Sequence, residues 1–425
     1  MNKHFLHIFT TLFLISACAT ANETTCNKDY QNYLTWLNSL KNEMLQKGIK
    51  QETLDKVYAQ NDFYKPQADA LVHDRKQTEF VLSPTDYLNR VVSKSRTQKA
   101  LAKYQELKPT LNKISSIYNL PPEYIIAFFA IESDFGKSMG NYNIFAALTE
   151  MSYDKRRSTF FKQELYNALK ILEKHDINPD SMRSSWAGAM GQFQFMPSTF
   201  NNYAVDFNND NKIDIWNDFE DAAASAANYL TSIGWDKNIP WGEAVILPWN
   251  FDYKLTSRFS SKTIAQWKKL GVKKLNGKPL NLNNSIQASI IVPQGHNCQA
   301  YLITDNFKKI MKWNNSENYA LAIGLLANYI KTSNNWHKQT CSTKKIKTEE
   351  IELIQLFINK TNIANLAIDG QLGSKTKQAI QILQKKFLMI PDGYPSQKLI
   401  SKIKNYNPKL GFSIPVPPKK LHKPK

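Results

Sequence analysis

"NLPPEYIIAFFAIESDFG", residues 119–136, decides how this chain is read. Two prolines, Pro121 and Pro122, suit the first turn of a helix, and Gly136 suits its end. Between them the segment is apolar nearly all round, so the helix is expected to be buried. It nevertheless carries a carboxylate, Glu132, in its last turn. Burial and the negative end of the helix dipole both disfavour an anion there. A carboxylic acid kept neutral in this way is what protonation of a glycosidic oxygen requires. The plainer reading is a glutamate that leaves for solvent at a helix end.

A second stretch carries related chemistry. "SSWAGAMGQFQFMPSTF", residues 184–200, sets small residues, two amides (Gln192 and Gln194) and hydroxyls beside aromatic walls. Glycine lets backbone approach a ligand closely. Amides and hydroxyls suit sugar hydroxyls and N-acetyl groups.

The whole chain bounds the partners. Its 425 residues call for two or three domains. Lysine and arginine exceed aspartate and glutamate by 19, which favours an anionic partner: nucleic acid, an acidic membrane surface or the bacterial wall. "MNKHFLHIFTTLFLISACATA" reads as a bacterial secretion signal, too short in its apolar run to span a bilayer. Ile15-Ser16-Ala17-Cys18 would lipidate Cys18; Ala19-Thr20-Ala21 would release an unanchored periplasmic protein. Export explains the chain better than nucleic-acid binding does. One disulfide is expected, either Cys26–Cys341 or Cys298–Cys341. No tandem repeat is evident.

Helical patterns run from about residue 27 to 235. Short runs "AVILP", "ASIIVP" and "AYLIT" between 239 and 304 read as strands. "YALAIGLLANYI" returns to helix. The expected division is a signal over 1–21, a catalytic domain over 26–341, a linker over 342–347, a small helical domain over 348–404 and a Pro/Lys-rich tail over 405–425.

"PPEYIIAFFAIESDFG", "RRSTFFKQEL", "SWAGAMGQFQFMPSTF" and "YAVDFNNDNKIDIW", in that order, resemble the lytic murein transglycosylases of the B type, glycoside hydrolase family 103. The resemblance runs from about Tyr30 to Ile330. It implies a mainly α (α+β) fold: a lysozyme-like helical catalytic domain with a small β-containing subdomain. It also implies cleavage of the MurNAc-β-1,4-GlcNAc bond of peptidoglycan without water, leaving 1,6-anhydroMurNAc ends. One glutamate then suffices, as acid and afterwards as base, where hydrolytic glycosidases need two carboxylates. Asp134, two residues on along the helix, is expected to face elsewhere. A water-using muramidase and a catalytically silent wall-binding scaffold are the competing readings.

The same resemblance implies substrate-binding roles for Tyr87, for Arg156 and Arg157, for Ser185 and Gln194, and for Asn314, Ser316 and Tyr319; Gln192 joins them as the other amide of its stretch. Trp313 stands where the family pattern has tyrosine, keeping an aromatic wall without its hydroxyl. No cofactor is expected for the chemistry, and the protein is expected to act as a monomer.

Residues 206–217, "DFNNDNKIDIWN", read as an EF-hand-like loop with Asp206, Asn208, Asp210, the Lys212 carbonyl and Asp214 as ligands of a structural Ca2+. Asn211 replaces the usual glycine and Asn217 the usual bidentate glutamate, so weak binding is expected. Residues 349–403 resemble the peptidoglycan-binding domain 1 family through Asp369-Gly370, Gly373, Thr376, "AIQILQKKF" and Asp392-Gly393. The resemblance implies a non-catalytic three-helix wall anchor.

Overall fold

The computed structural model describes residues 23–59, 63, 82–154, 157–175, 177–333, 336–341, 343 and 346–406. Cys18, Arg156, the secretion signal and residues 407–425 of the C-terminal tail lie outside them. The fold is mainly helical, with a small sheet in its second half.

In chain order the helices are α1 (Glu23–Gln46), α2 (Gln51–Tyr58), α3 (Pro84–Val91), α4 (Lys94–Glu106), α5 (Lys108–Tyr118), α6 (Pro122–Ser133), α7 (Ile144–Tyr153), α8 (Ser158–Lys174), α9 (Pro197–Tyr203) and α10 (Phe219–Ser232). Then follow α11 (Ile264–Lys269), α12 (Asp305–Trp313), α13 (Glu317–Thr332), α14 (Thr348–Lys360), α15 (Ser374–Lys386) and α16 (Gln397–Lys404). Strands β1 (Tyr142–Asn143) and β2 (Arg183–Ser184) pair with each other. A separate antiparallel sheet has the order β4 (Lys262–Thr263), β6 (Gln287–Ile291), β7 (Ala300–Ile303), β3 (Gly242–Ile246), β5 (Lys273–Lys274).

The chain divides into two compact units. The first holds the described residues before Lys76, Asn112–Tyr118 and Phe128–Tyr229; the second holds the remainder, including residues 119–127, so α6 contributes to both.

In the first unit, α7, α8 and α9 pack around Phe145, Phe161 and Phe200, all fully buried. Burying each such ring stabilises by about 1.5–3 kcal/mol. Asn143 caps α7 by accepting the amides of Phe145 and Ala146. Tyr58 of α2 meets Thr149 of α7 in a buried hydroxyl pair at 2.8 Å. Burial pushes the Tyr58 hydroxyl up to about 12, so it stays protonated.

In the second unit the sheet places Ile290 opposite Leu302 and Val245 opposite Ala300. Its apolar face closes over Trp267, whose indole N–H donates to the Ala288 carbonyl at 2.9 Å. Cys298 and Cys341 form the disulfide, with Cα atoms 5.2 Å apart.

Helices α14, α15 and α16 share a core of Ile354, Ile358, Ile380, Leu383, Leu399 and Ile400. Here the structure shows a repeat that the sequence pattern hid. The Gln355 carbonyl oxygen accepts the amides of Asp369 and Gly370, while its amide N–H donates to the Asp369 carboxylate. Gln384 likewise accepts from Gly393 and donates to Asp392. Two glutamines thus fix two Asp-Gly turns by one device.

This helical group is joined to the rest of its unit by ion pairs. Glu317 at the start of α13 meets Lys377 at 2.7 Å and Arg258 at 3.5 Å. Burial pushes its carboxyl up, but the two cations outweigh burial and hold it below the usual carboxylate range. His296 pairs with the buried Asp392. Beside these pairs lies a cavity of about 390 Å³, lined by Asn315, Ser316, Leu372, Ser374 and Tyr394 among others.

Trp241, fully buried, packs flat against Gly324 in the middle of α13; a Cβ there would lie 2.3 Å from the indole Cδ2. Alanine is the better helix former by about 1 kcal/mol, but overpacking costs about 1–3 kcal/mol. Gly324→Ala is therefore expected to lower stability in urea unfolding, whereas propensity alone would raise it.

Candidate active site

Helix α6 ends at Ser133, earlier than the sequence pattern suggests. Asp134, Phe135 and Gly136 follow with φ of 47°, 64° and 79°. Two of these left-handed residues carry side chains, which costs free energy and persists only when the surroundings enforce it. Asp134 is thus not on the helix at all: it belongs to the strained turn after it.

The enforcement is visible. Ser133 is 1% exposed. Its hydroxyl donates to the Gln192 carbonyl at 2.6 Å and accepts the Gly136 amide at 2.9 Å. Phe129, one helical turn earlier, stacks on Phe193 with centroids 5.5 Å apart and meets Phe135 edge-on at 5.7 Å. The end of α6 is in this way fastened to the 184–196 stretch, and half-buried Glu132 is carried with it.

That stretch is folded on itself. Met190 and Phe195 exchange backbone hydrogen bonds at 2.8 Å each, closing a turn in which Gly191 has φ 67° and Gln194 φ 52°. Gly140 lies against the Ser184 carbonyl so closely that a Cβ would sit 2.1 Å from the oxygen.

The amide N–H of Gln194 donates to the carbonyls of Met139 (3.1 Å) and Gly191 (3.0 Å), leaving its oxygen without a donor among the described residues. Ser185 Oγ accepts the amides of Ala187 and Ala189, leaving its proton without an acceptor among the described residues. The half-buried pair therefore offers one acceptor and one donor. Gln192 is different. It is 6% exposed, its amide donates to the Trp216 carbonyl at 3.1 Å, and its backbone joins Ile215 and Ser133. Those contacts make Gln192 a brace for the turn.

Arg157 precedes α8, with its guanidinium over the rings of Phe160 (5.3 Å) and Phe161 (4.8 Å). Burial lowers its pKa. Its partner Arg156 lies outside the described residues.

The acidic loop sits behind Gln192. Asp206 accepts the amides of Asn209, Asp210 and Asn211; Asn208 and Asp210 accept those of Asp210 and Lys212; Asp214 accepts those of Trp216 and Asn217. Asn211 takes φ 68°, the left-handed turn that the loop pattern requires. Two carboxylates that the pattern did not mark join it. Asp218 accepts from the Asn208 side chain at 2.8 Å. Asp221, 1% exposed, accepts the amides of Phe207 and Asp214. Burial, then Asp218 and Asp206, raise the Asp221 pKa, a repulsion that a cation would relieve. Among the described residues no three His, Cys, Asp or Glu side chains form a ready-made cage. A cation here would also need the Asn208 oxygen and the Lys212 carbonyl.

The remaining candidates lie in the second unit. Tyr87 is buried on α3. Ser316 caps α13 by accepting the Tyr319 amide at 3.3 Å, and Tyr319 is itself buried. Half-buried Trp313 ends α12, and Asn314 follows it as the cap.

Residues 32–328 match the family described as the transglycosylase SLT domain. The chain belongs to that family. A curated member, membrane-bound lytic murein transglycosylase B of Escherichia coli, is 29% identical over 301 residues, covering 64% of this chain and 80% of the relative. The crystal structure of SltB3 from Pseudomonas aeruginosa in complex with NAG-anhNAM-pentapeptide superposes with a TM-score of 0.81 at 35% identity, covering 88% of this chain and 99% of that one. The Escherichia coli lytic transglycosylase Slt35, solved in complex with calcium, superposes with a TM-score of 0.60 at 27% identity over 70% of this chain and 93% of that one. Nothing in the hydrogen bonding of Ser133 announces itself in a sequence; a serine after a glutamate at a helix end is unremarkable until its partners are seen.

Ser133→Ala removes the hydroxyl that joins α6 to the Gln192 turn. It is expected to lower stability by about 1–2 kcal/mol and to reduce release of soluble fragments from peptidoglycan much more than that loss explains. Thermal unfolding and a dye-release assay on labelled sacculi check the two halves.

Proposed function

We propose that Glu132 is the proton donor and then the proton acceptor of a peptidoglycan lytic transglycosylase. The observation that carries this is the carboxylate in the last turn of a buried helix, Glu132, fastened to a turn that offers one donor and one acceptor unused among the described residues. Glu132 would give its proton to the GlcNAc O4 as the bond from the MurNAc C1 breaks. Its carboxylate would then take the proton from the MurNAc O6 hydroxyl as O6 bonds to C1. The products are a GlcNAc with a free 4-hydroxyl and a 1,6-anhydroMurNAc end. Proton and electron pairs balance, and no water enters.

Gln194 Oε1 suits the N–H of an N-acetyl group and the Ser185 hydroxyl suits its carbonyl, which favours N-acetylated sugars. SltB3 in complex with NAG-anhNAM-pentapeptide supports the same substrate class. Trp313 and Asn314 supply a wall and an amide for the glycan, and Arg157 a cation for the lactyl or stem-peptide carboxylate. Tyr87, Ser316 and Tyr319 would act through their neighbours, given their burial. Residues 348–404 would hold wall polymer near the site and raise its local concentration. Lipidation at Cys18, in line with the membrane-bound E. coli relative, would keep the exported enzyme on a membrane facing the wall.

Asp206, Asn208, Asp210, Lys212 and Asp214, with Asp218 and Asp221 close by, fit a weakly held Ca2+. The ion would neutralise the carboxylates and stiffen the segment that holds Gln192. Saturating Ca2+ at about a hundred times its Kd is expected to add about 2.7 kcal/mol, seen as a higher melting temperature than in chelator. Asp206→Ala should abolish that difference.

Glu132→Gln keeps the size and shape of the side chain but cannot exchange the proton. It is expected to melt like the parent chain while fragment release falls at least about a thousandfold. An unfolded variant, or one that remains active, contradicts the assignment.

A further inference from the structure

The turn that follows β3 is unlike the rest of the surface. Trp249 is 96% exposed. Pro248 beside it packs on Gly271, where an added Cβ would lie 3.3 Å from the proline Cγ, so this turn meets the one after α11 that carries exposed Leu270. Ile246, exposed at the end of β3, pairs with Lys273 of the edge strand β5. Exposed Leu275 follows on the tight turn closed by Lys274 and Lys278, and it lines the same groove as Ile246. Four large apolar side chains are thus presented on adjoining turns at one sheet edge.

Their setting is basic. Residues 246–282 contain eight lysines or arginines and one acidic residue, Asp252. Lys274 is turned toward Glu243 at 3.9 Å, and Lys268 donates to Asn284 at 2.8 Å. Lys254, Lys269, Lys273 and Lys278 are exposed and have no ion-pair partner among the described residues.

We propose that this edge is a docking surface for an anionic phospholipid membrane. An indole seats at the headgroup level of a bilayer, and lysines around it are drawn to negative lipid. Exposed Ile246, Leu270 and Leu275 bury apolar area in acyl chains but have no flat face for a sugar ring, which sets lipid ahead of glycan as the occupant. The contact would hold the folded domain on a membrane, separately from any lipid on Cys18.

The test uses a chain lacking residues 1–22, which retains every described element, and sedimentation with vesicles. The parent chain is expected to sediment with vesicles containing half phosphatidylglycerol, to dissociate in high salt, and to stay free of pure phosphatidylcholine vesicles. Trp249→Ala and Lys273→Glu should each bind at least about tenfold more weakly, with unchanged melting temperature and fragment release. Failure of the parent chain to bind anionic vesicles overturns the proposal, as does parent-like binding by Trp249→Ala. Loss of sacculus binding in Trp249→Ala without any vesicle binding assigns the edge to wall polymer and also overturns it.

Discussion

Ser133 is the point on which the first unit depends. Its hydroxyl sits between the Gln192 carbonyl and the Gly136 amide, the first bond buried and the second partly so. A buried hydroxyl with these partners does more than add a kcal/mol or so: left unmade, its groups would incur the cost of desolvation with no return. The bonds stop α6, impose left-handed backbone on Asp134 and Phe135, and fix where Glu132 leaves the helix. The Phe129–Phe193 stack supports the same junction from its apolar side. The acidic loop supports it from behind through Ile215 and Trp216.

A catalytic carboxyl needs such a setting. It must be held against substrate while it changes charge twice, so the backbone beneath it cannot adjust at each step. The strain at Asp134, Phe135 and Gln194 is the sign of that fixing. The cost is met by aromatic packing around Phe129 and by the close glycine contacts of Gly140 and Gly191, where side chains would collide with the carbonyls of Ser184 and Ile215. On the proposed assignment, chemistry resides on Glu132, while the parts that position it are spread over the chain from α6 to the start of α10.

Much of this was legible beforehand because it is periodic. The apolar run before Glu132, the strand runs near 244, 288 and 300, and the helix after residue 317 follow from spacing and breakers alone. The order of motifs carried the family. What was not legible depends on contacts distant in sequence. Gln192 reads as a second sugar-facing amide beside Gln194, yet its burial makes it a brace. Asp134 reads as a helical neighbour of Glu132, yet it lies past the helix end. Asp218 and Asp221 fall outside the twelve-residue loop pattern, and the repeated Gln-to-Asp-Gly turns of the C-terminal helices have unequal spacing. No period could reveal those. The choice between two disulfide pairings likewise required the positions of Cys298 and Cys341.

The central claim is that one carboxyl serves twice and that the sugar's own hydroxyl, not water, takes the anomeric carbon. It is tested most directly by digesting purified sacculi in water enriched in heavy oxygen and weighing the released muropeptides. The account predicts muramoyl ends lighter by one water than reducing ends and free of heavy oxygen. Reducing ends carrying heavy oxygen would contradict it, since they would show that water attacks and that a second group activates it.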